Sequence, residues 1–263
     1  MGKLVSVIAE TVVTPTAIAL FWLEQNHFII KTAGNVLVHI DPFLSRVVKP
    51  ENHIYPEPLM APETAQADYV FLTHDHRDHC DPHTIALMAR ANSDCVFIGP
   101  EETIARSRTC GISGDKLVII PEGDERDFGT FKVKAVFAQD TADDEDDATT
   151  HLGYVFDFAG VTIYNVGDTH NNIGNVIRRY DAVKGLRPDA MLLPINEGYN
   201  NLGPVDAVHL VELIEPRLIV PCHFGCFRDN TIAPSRFIEA LPEGRRGDVQ
   251  IMARGDRLFI SSS

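Results

Sequence analysis

The stretch Thr73-His74-Asp75-His76-Arg77-Asp78-His79-Cys80 packs three imidazoles and two carboxylates into six residues, directly after the apolar run Tyr69–Leu72. On a helix these side chains would point in several directions. In a tight loop at the end of a strand they can converge on one or two cations. Packed together without a cation, they would repel when protonated and would demand many hydrogen bonds. The run therefore calls for a fold in which a buried strand delivers a loop into a site, with further ligands arriving from elsewhere.

Three later strand ends offer such ligands. Asp140 follows Val133–Gln139, Asp168 sits in Val166-Gly167-Asp168-Thr169-His170, and His223 follows Leu218–Cys222. Each is a polar residue at the C-terminal end of an apolar run, where strand-borne sites gather. His151 is an alternative to Asp140 as a ligand.

The rest of the chain reads as short apolar runs bounded by Gly, Pro, Asn or Asp. Ala17–Leu23, His27–Lys31 and Val36–Ile40 are successive strands, with a Gly34-Asn35 turn before the last. Further strands are expected at Cys95–Ile98, Val118–Ile120, Thr130–Phe137, Tyr154–Phe158, Val161–Val166, Ala190–Leu193, Leu218–Val220, Val249–Met252 and Arg257–Ile260. Helical spacing marks Pro82–Arg90, Glu101–Thr109, Asn172–Tyr180, Pro204–Ile214 and Ser235–Ala240. Residues 44–67 hold four prolines and form a long loop, a length that often carries function. The acidic run within Asp140–Asp147 reads as a solvated loop. No repeat or linker divides the chain, so residues 1–263 are expected to form a single α/β domain of two face-to-face sheets with helices outside.

Composition narrows the function. The net charge of −14 repels phosphate backbones, so nucleic acid is not an expected partner, nor is an anionic membrane. A small anionic substrate remains compatible if a metal and local arginines reverse the field inside a cleft. The five cysteines form no disulfide framework, and although Cys222 and Cys226 flank His223, the spacing of a structural zinc site is missing; a reducing, cytoplasmic setting fits. Thr11–Leu23 is apolar but follows Glu10 and contains Pro15, so it reads as a strand region and not as a signal peptide. No stretch approaches the length of a membrane span.

His74-Asp75-His76-Arg77-Asp78-His79 resembles the H-x-H-x-D-H signature of the metallo-β-lactamase superfamily. Gly167-Asp168-Thr169 and Pro221-Cys222-His223 resemble its later motifs, in the same order. A narrower resemblance is to the L-ascorbate-6-phosphate lactonase branch. It is carried by Thr73–His76 with Asp78-His79, Phe97-Ile98-Gly99-Pro100, Phe137-Ala138-Gln139-Asp140-Thr141-Ala142, Gly167–His170 and Val220–His223. The resemblance implies the four-layer αββα sandwich of that superfamily. It implies one metal on His74, His76 and Asp140, a second on Asp78, His79 and His223, and Asp168 bridging them. A carboxylate at Asp140 in place of imidazole hardens the site and shifts preference from Zn²⁺ towards Mn²⁺. The branch also implies an oligomer. The chain departs from it at Glu24-Gln25-Asn26-His27, where related proteins have Gly followed by small residues.

The function expected is hydrolysis of a small-molecule ester or lactone, such as a sugar-acid phosphate, with Asp78 or His170 passing a proton to the leaving alkoxide. The lack of an export signal disfavours a secreted antibiotic-degrading role. Arg46, Arg77 and Arg228 are candidates to hold a substrate phosphate, and Asn196-Glu197 to orient ligands or substrate. His27, His39, His53, His83 and His209 read as structural or exposed. A cyclic or small-molecule phosphodiesterase on the same fold, and a non-catalytic scaffold, are the competing readings.

Overall fold

The computed structural model describes residues 2–138, 150–171, 174 and 177–262. The chain opens with helix α1 (Gly2–Glu10), which the sequence reading did not foresee. Leu4 and Ile8, one turn apart, bury its inner stripe, and the Lys31 ammonium donates to the carbonyls of Ile8 and Ala9 at 2.8 Å each. A cation there satisfies carbonyls that the helix end leaves open and complements its dipole.

Strands β1 (Ala17–Glu24), β2 (His27–Thr32) and β3 (Leu37–Ile40) form an antiparallel meander. Then β4 (Tyr69–Phe71), β5 (Val96–Gly99) and β6 (Leu117–Ile119) continue the sheet in parallel. Their crossovers use α2 (Pro82–Ala91) and α3 (Glu101–Thr109). The side chain of Asp81 caps α2 by accepting from the His83 and Thr84 amides. Glu101 and Glu102 open α3 while Arg106 and Arg108 close it, matching charge to the helix dipole.

The second sheet starts from β7 (Glu125–Asp127), a short charged edge strand not expected from the sequence, beside β8 (Lys132–Ala138), β9 (His151–Phe158) and β10 (Val161–Asn165). The β9–β10 hairpin turns through Ala159 and Gly160, both at positive φ. Parallel strands β11 (Ala190–Pro194) and β12 (Ile219–Cys222) complete that sheet, joined through α4 (Pro204–Ile214). After α5 (Ser235–Ala240), β13 (Arg257–Ser261) returns to pair with β1. The expected strand Val249–Met252 does not form: only Val249 bridges to Ile219, so this segment lies against β12 at one point without continuing its ladder. The expected helix Asn172–Tyr180 lies partly outside the described residues, and Ile177–Val183 forms a 3-10 helix.

Alternation along the strands explains the layers. Leu20, Ile30, Phe71 and Ile98 meet Tyr154, Phe156, Ile163 and Leu192 in the core between the sheets. Their neighbours Phe21, Ile29, Val70 and Phe97 face the opposite way, onto Leu4 and Ile8 of α1 and Ile85 and Met88 of α2. Because both faces are covered, these strands read as continuous apolar runs. The result is the expected αββα sandwich. Among the described residues no helix is long and apolar enough to cross a membrane.

Candidate metal centre

The site forms where the ends of strands from both sheets meet. Asp41 follows β3, the His74–His79 loop follows β4, Asp168 follows β10 and His223 follows β12. His151 is the first residue of β9, paired to Ala138. Hydrogen bonds join the sheets here, among them those from the Leu152 amide to the Thr73 carbonyl at 3.0 Å and from the Tyr154 hydroxyl to the Leu72 carbonyl at 2.7 Å. Gly167, just before Asp168, lets the end of β10 lie close against β9, since a Cβ there would stand 2.7 Å from the Leu152 carbonyl oxygen, at a φ of +71°.

Among the described residues three overlapping groups of donor atoms result, each within 4.8 Å: His74, His76 and His151; His74, His79 and Asp168; and Asp78, His79 and His223. His74 is fully buried, with its ring centroid 4.0 Å from that of His151 and 4.1 Å from that of His79. The Nε2 atoms of His79 and His223 lie 3.2 Å apart. One oxygen of Asp168 sits 3.3 Å from each of them, and one of Asp78 sits 3.7 Å from each. The Nε2 of His74 and Oδ1 of Asp168 are buried with no hydrogen-bond partner among the described residues. Such atoms are rare in a protein unless another species satisfies them. A convergent set of imidazole and carboxylate donors with open lone pairs fits one or two divalent cations.

The ligands are held from behind. The buried Asp41 carboxylate accepts from His79 Nδ1 (2.7 Å), the Thr73 amide (2.7 Å), the Thr73 hydroxyl (2.6 Å) and the Asn26 amide (2.7 Å). With Nδ1 so engaged, the Nε2 of His79 faces the other donors, the carboxylate–histidine pairing that orients metal ligands. Asn201 donates to Asp168 at 2.8 Å, and the Gln25 side-chain amide to Asp78 at 2.9 Å. Asp75 is turned away, bound to Arg106 at 2.6 Å.

Electrostatics separate the two ends of the cluster. Burial, then the neighbouring imidazoles of His151 and His79, hold His74 well below the usual histidine range. Burial would also lower His79, but Asp168, Asp78 and Asp41 outweigh it and push it well above that range. His223 is likewise raised, with Asp168 overcoming burial. Burial opposes the charge on Asp168 too, yet His223 and His79 hold it well below the carboxylate range. Cation binding at the Asp78–His79–His223 end must therefore displace protons, whereas at the His74 end that imidazole is already neutral. Affinity at the first of these is expected to climb as pH rises through neutrality, with proton release measurable by calorimetry in buffers of different ionisation enthalpy. Equal proton release at both positions would contradict this picture.

The sequence candidates thus divide. His74, His76, Asp78, His79, Asp168 and His223 are brought together. Asp140 lies outside the described residues, as do Gln139, Thr141 and the acidic run that follows. Among the described residues, His151, the alternative, stands with His74 and His76. His170 is buried in the loop after Asp168 and bridges through backbone to Asn201. Arg77 is exposed on the lip of a cleft of about 270 Å³ above the cluster, which Lys49, Tyr199, Phe227 and Asn230 also line. Asn196 is buried and donates to Asn230 at 2.9 Å, while Glu197 pairs with Arg236. Arg228 is exposed beyond the cleft lining, and Arg46 is committed to Glu24 at 2.7 Å. Asp41, Asn201 and Lys49 were not singled out from sequence, and Gln25 was marked only as part of the Glu24–His27 departure. Asp41 carried the strand-end signal that marked Asp168, directly after Val36–Ile40.

A fold and a donor cluster of this kind define a metal-dependent hydrolase of the metallo-β-lactamase fold. The family profile described as beta-lactamase superfamily domain matches residues 19–223, and the chain belongs to that superfamily. It is 29% identical over 243 residues to a UPF0173 metal-dependent hydrolase of Archaeoglobus fulgidus, covering 89% of this chain and 96% of that one. A homologue of the same description from Methanosarcina mazei is 28% identical over 250 residues, covering 91% and 97%. Among solved structures, a metallo hydrolase of the hyperthermophilic archaeon Ignicoccus hospitalis superposes with a TM-score of 0.75 at 19% identity, covering 94% of this chain and all of that one. An isothiocyanate hydrolase from Delia radicum gut bacteria gives 0.71 at 21% identity, covering 93% and 100%.

Proposed function

We propose that this metal-dependent hydrolase opens a lactone or ester bond of a small anionic molecule, in the manner of the L-ascorbate-6-phosphate lactonase branch, with a sugar-acid phosphate as the type of substrate. The observation that carries the reading is the pairing of the buried donor cluster with a cleft whose lip presents the exposed Arg77, with Lys49, itself 3.5 Å from Asp229, beside it. Arg77 forms no ion pair among the described residues, although the chain carries a net charge of −14. The acids lining that cleft, Asp78 and Asp168, belong to the cluster itself.

In this reading His74, His76 and His151 hold one cation and Asp78, His79 and His223 a second, with Asp168 between them. The family resemblance puts Asp140 in this position, with His151 as its alternative. A bound Mn²⁺ or Zn²⁺ supplies Lewis acidity and brings the acidity of water towards neutrality. The imidazole-rich donor set with His151 suits zinc, and a carboxylate from Asp140 suits manganese. Asp41 and Asn201 keep His79 and Asp168 oriented throughout. Asp78, half-buried at the cleft, or His170 passes a proton to the departing alkoxide. Lys49 and Arg77 hold the anionic end of the substrate, Arg77 through its planar fork. The free cysteines support a reducing, cytoplasmic setting.

Cation-loaded protein should be assayed against lactones, carboxylic esters, thioesters and bis-p-nitrophenyl phosphate. Turnover of anionic lactones or esters is expected. Turnover of the phosphodiester alone would replace this reading with a phosphodiesterase, and failure to take up metal would leave a scaffold. Arg77→Ala is expected to raise KM for an anionic ester about tenfold with kcat little changed, because uniform binding is lost without touching the reacting atoms. An equal fall in kcat would place Arg77 in the chemistry instead.

A further inference from the structure

The segment Glu24-Gln25-Asn26-His27, where β1 turns into β2, closes over the Asp78–His79–His223 end of the cluster. All four residues are buried. The β1–β2 register shifts between Trp22 and Glu24, and Gln25 adopts a φ of +52°, a left-handed conformation unusual for a residue with a Cβ. Strained backbone of this kind persists only where its surroundings hold it. Here they do so from both sides. The carboxylate of Glu24 is gripped by Arg46 at 2.7 Å and Arg254 at 3.2 Å. The Gln25 carbonyl accepts from the Trp22 indole at 3.0 Å and from the His223 amide at 3.1 Å.

That anchoring aims one carboxamide into the centre. Gln25 Nε2 lies 2.9 Å from Asp78 Oδ2 and 3.5 Å from His223 Nε2. Its Oε1 is buried with no hydrogen-bond partner among the described residues. The amide of Gln25 bonds Asp78 Oδ2, the oxygen that approaches His79 and His223. We propose that Gln25 is a positioning residue for the second cation: its amide fixes the Asp78 carboxylate towards His79 and His223, and sets the affinity of that position alone.

The inference rests on the two-cation reading above, and one experiment separates the two. Metal-free protein is titrated with Co²⁺, whose visible absorption follows each binding step. Gln25→Met keeps the volume and removes the donor. It should weaken the second step about 10–100-fold, the usual effect of losing a partner behind a metal ligand, with the first step unchanged. An unchanged second step overturns the proposal, as does equal weakening of both steps, which would mark a general structural role. Should Gln25→Met not fold, Gln25→Asn, which suits the left-handed backbone at this position, withdraws the amide from Asp78 and should weaken the second step by a similar factor, with the first unchanged. No change there overturns the proposal as well. A parent protein that takes up no second Co²⁺ overturns the two-cation reading and this proposal together. A parent with two steps and variants identical to it overturns this proposal alone.

Discussion

Asp168→Ala is expected to reduce kcat/KM by about 10³-fold or more, the scale of losing a preorganised electrostatic group at a reacting centre, and to lower cation stoichiometry. The carboxylate stands 3.3 Å from the Nε2 atoms of both His79 and His223, and shares a donor group with His74. Without it those two imidazoles face each other at 3.2 Å, with Asp78 at 3.7 Å from each Nε2 and Asp41 at 2.7 Å behind His79 as the remaining counter-charges. Asp168 leads the charges that hold His79 and His223 above the usual range, so both should titrate lower in the variant. Asp168→Asn tests the charge separately from the shape, and should fail in activity nearly as fully while keeping the fold. Elemental analysis after dialysis, with turnover of the ester found by the substrate panel, measures the effect. Full occupancy and activity within tenfold of the parent would mean that the cluster is organised without this residue.

What the sequence made legible follows from how local each feature is. The His74–His79 run was readable because all its ligands lie in one loop, and no ordinary structural role calls for so many imidazoles together. Asp168 and His223 were readable from their places after apolar strands. The choice between Asp140 and His151 was not, because it depends on the register of β9 on β8, which sets His151 opposite Ala138, and Asp140 lies outside the described residues. Gln25 and Asp41 were passed over for a different reason. A lone polar residue in a β-turn, or before a proline, looks like ordinary turn chemistry. Only the packing of β1, β3, β4 and β12 against one another shows that these two face ligands 53 and 38 positions away. Helix α1 was missed because its two buried residues make too weak a stripe, and its C-terminal carbonyls are satisfied by Lys31 from the sheet. The strand at Val249–Met252 was over-read, since an apolar run can lie beside a sheet without pairing along it.

Asp41→Ala should be the most damaging change for stability, with a loss of about 3–5 kcal/mol, the usual effect of breaking a buried charge pair from one side. The carboxylate is fully buried and accepts from four donors: His79 Nδ1, the Thr73 amide and hydroxyl, and the Asn26 side chain. Truncation leaves these donors buried together, and each unsatisfied group adds a desolvation cost of its own. Asp41 also sits at a φ of +44°, in a turn that joins β3 to the loop over the site. For a chain of this size, the stability loss corresponds to a fall in Tm of about 10 °C. The sign of the accompanying pH effect is fixed. The carboxylates, Asp41 among them, raise His79 above its unfolded value, so this contribution to stability is fully present below the unfolded histidine pKa. It is lost as pH rises through the folded one. The parent should therefore exceed Asp41→Ala by most at mildly acid pH in metal-free protein, and the gap should narrow towards alkaline pH. Thermal melts of both proteins across that range, with metal removed by chelation, measure it. A Tm difference that is small, or that widens with pH, would show that His79 is neutral in the metal-free protein and that Asp41 acts only as a hydrogen-bond acceptor.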